Sequence, residues 1–383
     1  MKRSFALTLL LSAAFAAPAF AAATDGPPIA RQGYLFAGGK YATVKGQRVM
    51  SGQIYAEFQI PRNQTHRYPI VMVHGAIQTG TNFNGTPDGR MGWAEYFLRQ
   101  GYAVYVVDQP GRARGGYSAD VAGEQAFPDI NATQQRFTAP AKFNLWPQAK
   151  LHTQWPGTGL EGDPTFDQFY SSQVPFVRTP VQAQTMTRDG LAALLDKIGP
   201  AIVMTHSQSG AMGWLIADAR PNLVKALIQA EPSGPPVRDV DMIGAPDYLR
   251  DGAATRPWGL TAIPLTYAPT VSDPSQLSFA QEEKPSGAGL ARCWMQKGPA
   301  RQLPNLKMPI VVVHGEASFH APFEHCTVRY LQQAGVKADW IDLGKSGIHG
   351  NGHMMMLEKN NLEVAASIDK WLAKALPAET AAR

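Results

Sequence analysis

The chain has 383 residues, 44% of them hydrophobic and 17% charged, which is enough apolar material for a sizeable globular core. Its formal net charge of +5 drops once Lys2 and Arg3 are set aside as part of a removable leader, leaving 33 basic residues against 30 acidic ones. So small an excess, with no Lys/Arg-rich run, argues against a nucleic-acid partner.

The leader is the first element. Lys2 and Arg3 precede an apolar run beginning at Ala6, and Pro18-Ala19-Phe20-Ala21 supplies an A-x-A site. Residues 1–21 therefore read as a signal peptide, too short and Ala-rich for a membrane span. The expectation is an exported protein of bacterial type, secreted or periplasmic, with no stable membrane span after processing. Residues 22–383 then form the mature chain. Its two cysteines, Cys293 and Cys326, are an even pair in an exported protein and point to one disulfide, with two separate buried thiols as the alternative.

Tyr41 to Ile60 alternates loosely around Gly52 and predicts an antiparallel hairpin. From there, apolar strands alternate with amphipathic helices. Strands are expected at Pro69–Val73, Tyr102–Asp108, Ala201–Thr205, Val224–Ala230, Ile310–His314 and Ala338–Leu343. Helices are expected at Gly92–Gln100, Val181–Ile198, Ala211–Ala219, Pro322–Ala334 and Asn360–Ala375. This order predicts a single α/β domain with a mostly parallel central sheet flanked by helices on both faces. Two irregular stretches, about 113–178 and 233–299, interrupt it. Both are too long for ordinary connections and read as cap or lid insertions over the C-terminal edge of the sheet, where ligands bind in open α/β folds.

Val203-Met204-Thr205-His206-Ser207-Gln208-Ser209-Gly210 joins a strand to a helix, the setting of a nucleophilic serine, without the usual G-x-S-x-G. The smaller flanking residues favour Ser209; its place in the first helical turn, where serine is more naturally a cap, favours Ser207 instead. A serine of this kind needs a histidine to take its proton and a carboxylate to orient that histidine, in the chain order serine, acid, histidine. Glu231 follows the next strand and Glu316 the one after it; the residues alone leave the two open. His353, after a Gly-Asn-Gly turn and before Met354-Met355-Met356, is preferred to His349. His74-Gly75-Ala76 ends an earlier strand, so the backbone N–H groups of Ala76 and Gln208 are the expected oxyanion donors.

With these residues in place the chain resembles the α/β-hydrolase superfamily, and within it the secreted bacterial esterases of the Alcaligenes type. The resemblance is carried by His74-Gly75, Thr86-Pro87-Asp88-Gly89-Arg90-Met91-Gly92-Trp93, Asp108-Gln109-Pro110-Gly111-Arg112, Thr205-His206-Ser207-Gln208, Ala230-Glu231-Pro232 and Gly350-Asn351-Gly352-His353-Met354-Met355. It implies Ser207 as nucleophile, Glu231 as acid and His353 as base. One departure stands out: the adjacent cysteines of that family's oxyanion loop are Ala76 and Ile77 here.

Glu324, His325, His320 and Cys326 lack metal-ligand spacing and read as a helix start beside a disulfide cysteine, so no metal is expected. No cofactor is expected either, since no glycine-rich phosphate loop follows a strand. His206 reads as structural, and Arg112 and Arg114 as loop ion-pair formers. The resulting expectation is a carboxylesterase-type serine hydrolase acting through an acyl-serine intermediate on small apolar or aromatic esters. Phe143, Trp146, Trp155, Phe166, Phe169 and Trp258 would line its pocket or pack the inserts. The alternatives are a lactonase or acyl transferase with the same triad, and a non-catalytic binding protein on the hydrolase fold. Homodimerisation is left open.

Overall fold

The computed structural model describes Gly26 and residues 28–377, so the expected signal segment lies outside the described residues. Eight strands form one sheet: β1 (Ile29–Val44), β2 (Gln47–Pro61), β3 (Ile70–Val73), β4 (Val104–Asp108), β5 (Ala201–His206), β6 (Val224–Ala230), β7 (Ile310–His314) and β8 (Ala338–Asp342). Their spatial order is β1-β2-β4-β3-β5-β6-β7-β8. The pairs β1–β2 and β2–β4 are antiparallel and the remainder parallel. The helices α1 (Trp93–Arg99), α2 (Pro180–Ile198), α3 (Ser209–Ala219) and α4 (Glu324–Gln333) lie in connections between strands, and α5 (Asn361–Ala375) follows β8.

The central strands are mostly apolar on both sides because both faces are covered. Val71, Val73, Val203, Leu227, Ile310 and Val312 face one core, with α2, α3 and α4. Ile70, Met72, Met204, Ile228, Val311 and Val313 face the other, with α1, α5 and Met354–Met356. Truncating any fully buried Leu or Ile here costs about 2–5 kcal/mol.

The opening hairpin differs from expectation. It starts at Ile29 and turns at Lys45-Gly46, with Val44 paired to Gln47, and not at Gly52. Lys45 and Gly46 both have positive φ, the geometry a two-residue hairpin turn requires. Gly52 lies inside β2.

The two inserts occupy residues 113–178, between β4 and α2, and 233–299, between β6 and β7. The first holds short helices, the longest being Pro164–Ser171; the second holds the hairpins Arg238–Gly244/Tyr248–Ala254 and Phe279–Gln281/Trp294–Gln296. They touch each other where Gly244 N–H donates to Leu145 O (3.0 Å), and the first reaches the final loop where Thr153 N–H donates to Gly350 O (3.1 Å). A Cys293–Cys326 disulfide ties the second insert to α4, the pairing expected from the sequence.

Candidate active site

The strands β5, β6 and β7 end side by side, and the chemistry gathers there. Ser207 sits at the corner between β5 and α3, half-buried, with φ +57°. A non-glycine residue in that region is strained and projects its side chain from a tight turn. The usual small-neighbour requirement of such a corner is met in space by two glycines. A Cβ on Gly75 would lie 2.9 Å from Ser207 Cβ, and one on Gly210 would lie 2.4 Å from Pro232 Cα.

The two serines are not equivalent. Ser209 Oγ is fully buried, accepts the His206 N–H (2.9 Å), and has Val73 O (2.8 Å) and His206 O (2.9 Å) as acceptors for its own proton. It pins the start of α3 to β3. Ser207 has the strained, projecting position.

Glu231 also has positive φ (+48°) and is fully buried. Its Oε1 accepts the Gly315 N–H (2.7 Å); its Oε2 accepts the Ser318 hydroxyl (2.5 Å) and His353 Nδ1–H (2.5 Å). Burial pushes the carboxyl up to about 7, against the lowering effect of His320, the Gly315 N–H and Ser318. His353 is likewise fully buried, and burial first, then His320 and Arg136, holds it well below the ordinary histidine range. Its Nε2 has no hydrogen-bond partner among the described residues. The site thus holds a neutral imidazole, oriented through Nδ1 and open at Nε2.

Glu358 shapes the loop that carries His353. It accepts the Gly352 N–H (2.9 Å) and Asn351 Nδ2–H (2.8 Å) and pairs with His152 Nε2 (2.7 Å) from the first insert. His206 is structural, as expected, but in a particular way: its Nε2–H donates to the His353 carbonyl (2.9 Å), and the two rings lie 4.5 Å apart. The rival residues find each other instead. Glu316 pairs with His349 Nδ1 (3.2 Å) and accepts the Gly350 N–H (2.9 Å), with His349 two-thirds exposed.

The backbone N–H groups of Ala76 and Gln208 have no acceptor among the described residues. Ile77 has φ +55°, rare for a β-branched residue, and its carbonyl accepts the Val174 N–H (2.7 Å). Two aromatics press on His353, Phe137 at 5.1 Å and Phe319 at 4.6 Å between ring centroids. Neither belongs to the six aromatics expected to line the pocket or pack the inserts. Of those six, Trp146, Trp155, Phe166, Phe169 and Trp258 are buried in packing cores, and Phe143 is exposed.

Side-chain ligand atoms of Glu231, His320 and His353 lie within 4.8 Å of one another, and so do those of Cys293, His325 and Cys326. In the first group Glu231 Oε2 and His353 Nδ1 already bond each other; in the second both sulfurs are spent on the disulfide. In each group two of the three residues are therefore already committed to one another.

Comparison with known proteins agrees with this architecture. A family model described as the alpha/beta hydrolase family matches residues 70–367. A probable secreted lipase, phiG, of a fungal species (strain ATCC 74256) is 45% identical over 344 residues, covering 89% of each chain. The lipase LipV of Mycobacterium tuberculosis is 45% identical over a shorter stretch of 67 residues, 15% of this chain and 26% of LipV. A solved structure described as a novel bacterial esterase superposes with a TM-score of 0.59 at 24% identity, covering 92% of this chain and 98% of its own.

Proposed function

The chain belongs to the alpha/beta hydrolase family, and from that premise we propose that it is a secreted serine carboxylesterase acting on small, apolar or aromatic esters. Ser207 Oγ adds to the ester carbonyl carbon while its proton passes to His353 Nε2. Glu231, bonded to Nδ1, stabilises the resulting imidazolium. The carbonyl π pair moves onto oxygen, and the N–H groups of Ala76 and Gln208 stabilise that oxyanion. Collapse breaks the C–O bond, with His353 returning the proton to the departing alcohol. Water, deprotonated by the same imidazole, then attacks the acyl-serine, and collapse of that second intermediate breaks the bond to Ser207 Oγ, which regains its proton from His353 as the acid leaves.

The observation that carries this reading is the buried 2.5 Å Glu231–His353 hydrogen bond behind a His353 Nε2 with no partner. The aromatic faces of Phe137 and Phe319 against His353 support an apolar or aromatic group near the scissile bond. Export is supported by the leader pattern and by the secreted relative. The motif set supports kinship with the Alcaligenes-type esterases, and the contacts of the 113–178 insert with the His353 loop support its reading as a cap.

The test is hydrolysis of p-nitrophenyl acetate and labelling by a fluorophosphonate, in the parent and in Ser207→Ala and Ser209→Ala. Labelling and turnover lost in Ser207→Ala and retained in folded Ser209→Ala are expected. An unlabelled, inactive parent would overturn the reading in favour of a binding protein.

A further inference from the structure

Arg112 is 2% exposed and makes no ion pair with a carboxylate among the described residues. The carboxylate that acts on it electrostatically, Asp108, instead accepts hydrogen bonds from Gly80 N–H and Arg114 Nε–H. A buried unpaired guanidinium is costly, and burial lowers Arg112 to about 9, still protonated at neutral pH. What the charge faces explains why it is there. Nη1 donates to Gly75 O (2.7 Å) and leans towards Gln78 O (3.4 Å), while Nη2 donates to Gln208 Oε1 (2.9 Å). The guanidinium also lies 5.5 Å from the Phe176 ring centroid.

One anchor point lies on the Gly75–Ala76 peptide, whose N–H is the first oxyanion donor, and the other on the side chain of Gln208, whose backbone N–H is the second. Gly75 O lies in the same planar trans peptide as the Ala76 N–H and points the opposite way, so a donor fixed on that oxygen fixes the direction of the amide. His74 Nδ1–H bonds the same oxygen (2.9 Å), its Nε2 being occupied by the Gln109 N–H (3.2 Å). Two donors on one carbonyl also polarise its peptide and strengthen the N–H on the far side. The other arm holds Gln208 through its side-chain oxygen, at the first residue after Ser207.

We infer that Arg112 is the positioning residue of the oxyanion hole, clamping the Gly75–Ala76 peptide and Gln208 in one register and placing a fixed positive charge behind both donors. It does not touch substrate. Its worth grows as charge develops on the carbonyl oxygen, so it acts on the transition state more than on substrate binding. Lysine would keep a charge and lose the two-armed geometry. The inference rests on the serine-esterase reading above.

The test compares Arg112→Gln and Arg112→Lys with the parent for kcat and KM on p-nitrophenyl acetate, and for inhibition by an alkyl trifluoromethyl ketone. Addition of Ser207 to that ketone leaves an oxyanion where the hole would bind it. Arg112→Gln is expected to lower kcat by about 10²-fold with KM within about threefold, and to weaken the ketone by a similar factor. Arg112→Lys should recover about tenfold of both, with fluorophosphonate labelling still confined to Ser207. Unchanged kcat and ketone affinity in the variants, beside an active parent, would overturn the inference and leave the esterase reading standing. A change in KM alone would overturn it too. If Arg112→Gln fails to fold, the kcat and ketone affinity of Arg112→Lys decide alone. An inactive, unlabelled parent would sink both readings together.

Discussion

Two glutamate–histidine pairs stand at neighbouring ends of the same sheet, and they share almost nothing but composition. Glu231–His353 is sealed from water on both partners, closes at 2.5 Å, and has Gly315 and Ser318 as further donors on the carboxylate. Glu316–His349 is open, with the histidine side chain 66% exposed, and closes at 3.2 Å. The sealed pair works in a low effective dielectric, where its charge can stabilise an imidazolium. The open pair is screened and contributes little, about 0–1 kcal/mol as for surface ion pairs generally. Burial and second donors, not residue type, separate these two pairs.

The sharpest way to break this contrast is to remove the two histidines in turn. His353→Ala is expected to lower kcat on p-nitrophenyl acetate by about 10⁴-fold or more, while His349→Ala stays within about threefold. Comparable losses from both would erase the distinction.

The two acids come next. Glu231→Gln leaves the shape and removes the charge, and should cost about 10³–10⁴-fold in kcat. Glu316→Gln should leave kcat within about threefold, and steady-state kinetics on the two proteins decide the matter.

A smaller effect sharpens the electrostatic half of the comparison. The proposed mechanism needs Glu231 ionised, and burial raises its carboxyl to about 7, so kcat/KM should fall as pH drops through that region. Ser318→Ala removes a hydrogen bond that favours the ionised form. The acid limb should therefore move to higher pH, lowering the rate below neutrality by about tenfold per unit moved. A limb that stays put, or moves down, would show that Ser318 does not tune Glu231.

The mildest effect on rate belongs to the disulfide. Replacing Cys293 and Cys326 by Ala opens a loop 33 residues long, worth about 3–4 kcal/mol in a chain-entropy account. Thermal melts should fall by several degrees, with kcat at 25 °C within about threefold. A collapse of activity in a folded double variant would mean that the second insert holds the buried pair together.

Much of this protein was legible locally. Val224–Ala230 and Ile310–His314 lie where the apolar runs put them, because a strand covered on both faces leaves a continuous apolar signature. The hairpin was misplaced because Gly52 looks like a turn, whereas Lys45-Gly46 supplies the turn through backbone dihedrals that composition does not reveal. Of the six aromatics expected either to line the pocket or to pack the inserts, Trp155, Phe169 and Trp258 join the cores on the two faces of the sheet. Phe137 and Phe319 drew no notice, because nothing in their neighbourhood marks a residue that will lie on a distant histidine. Ser318 carries no local signal and Arg112 reads only as a loop ion-pair former, since their partners stand 87 and 37 positions away.

The sequence by itself determined the alternation of strands and helices and the chain order of the candidate serine, acids and histidines, because strand ends of a parallel sheet bring such loops to one edge. Only the tertiary structure decided between equals. Ser209 is occupied by a carbonyl 136 positions earlier, and His353 meets Glu231 across 122 positions, while His349 is left with Glu316 in water. Hydrogen bonds across such distances depend on packing that excludes solvent, which no local pattern records.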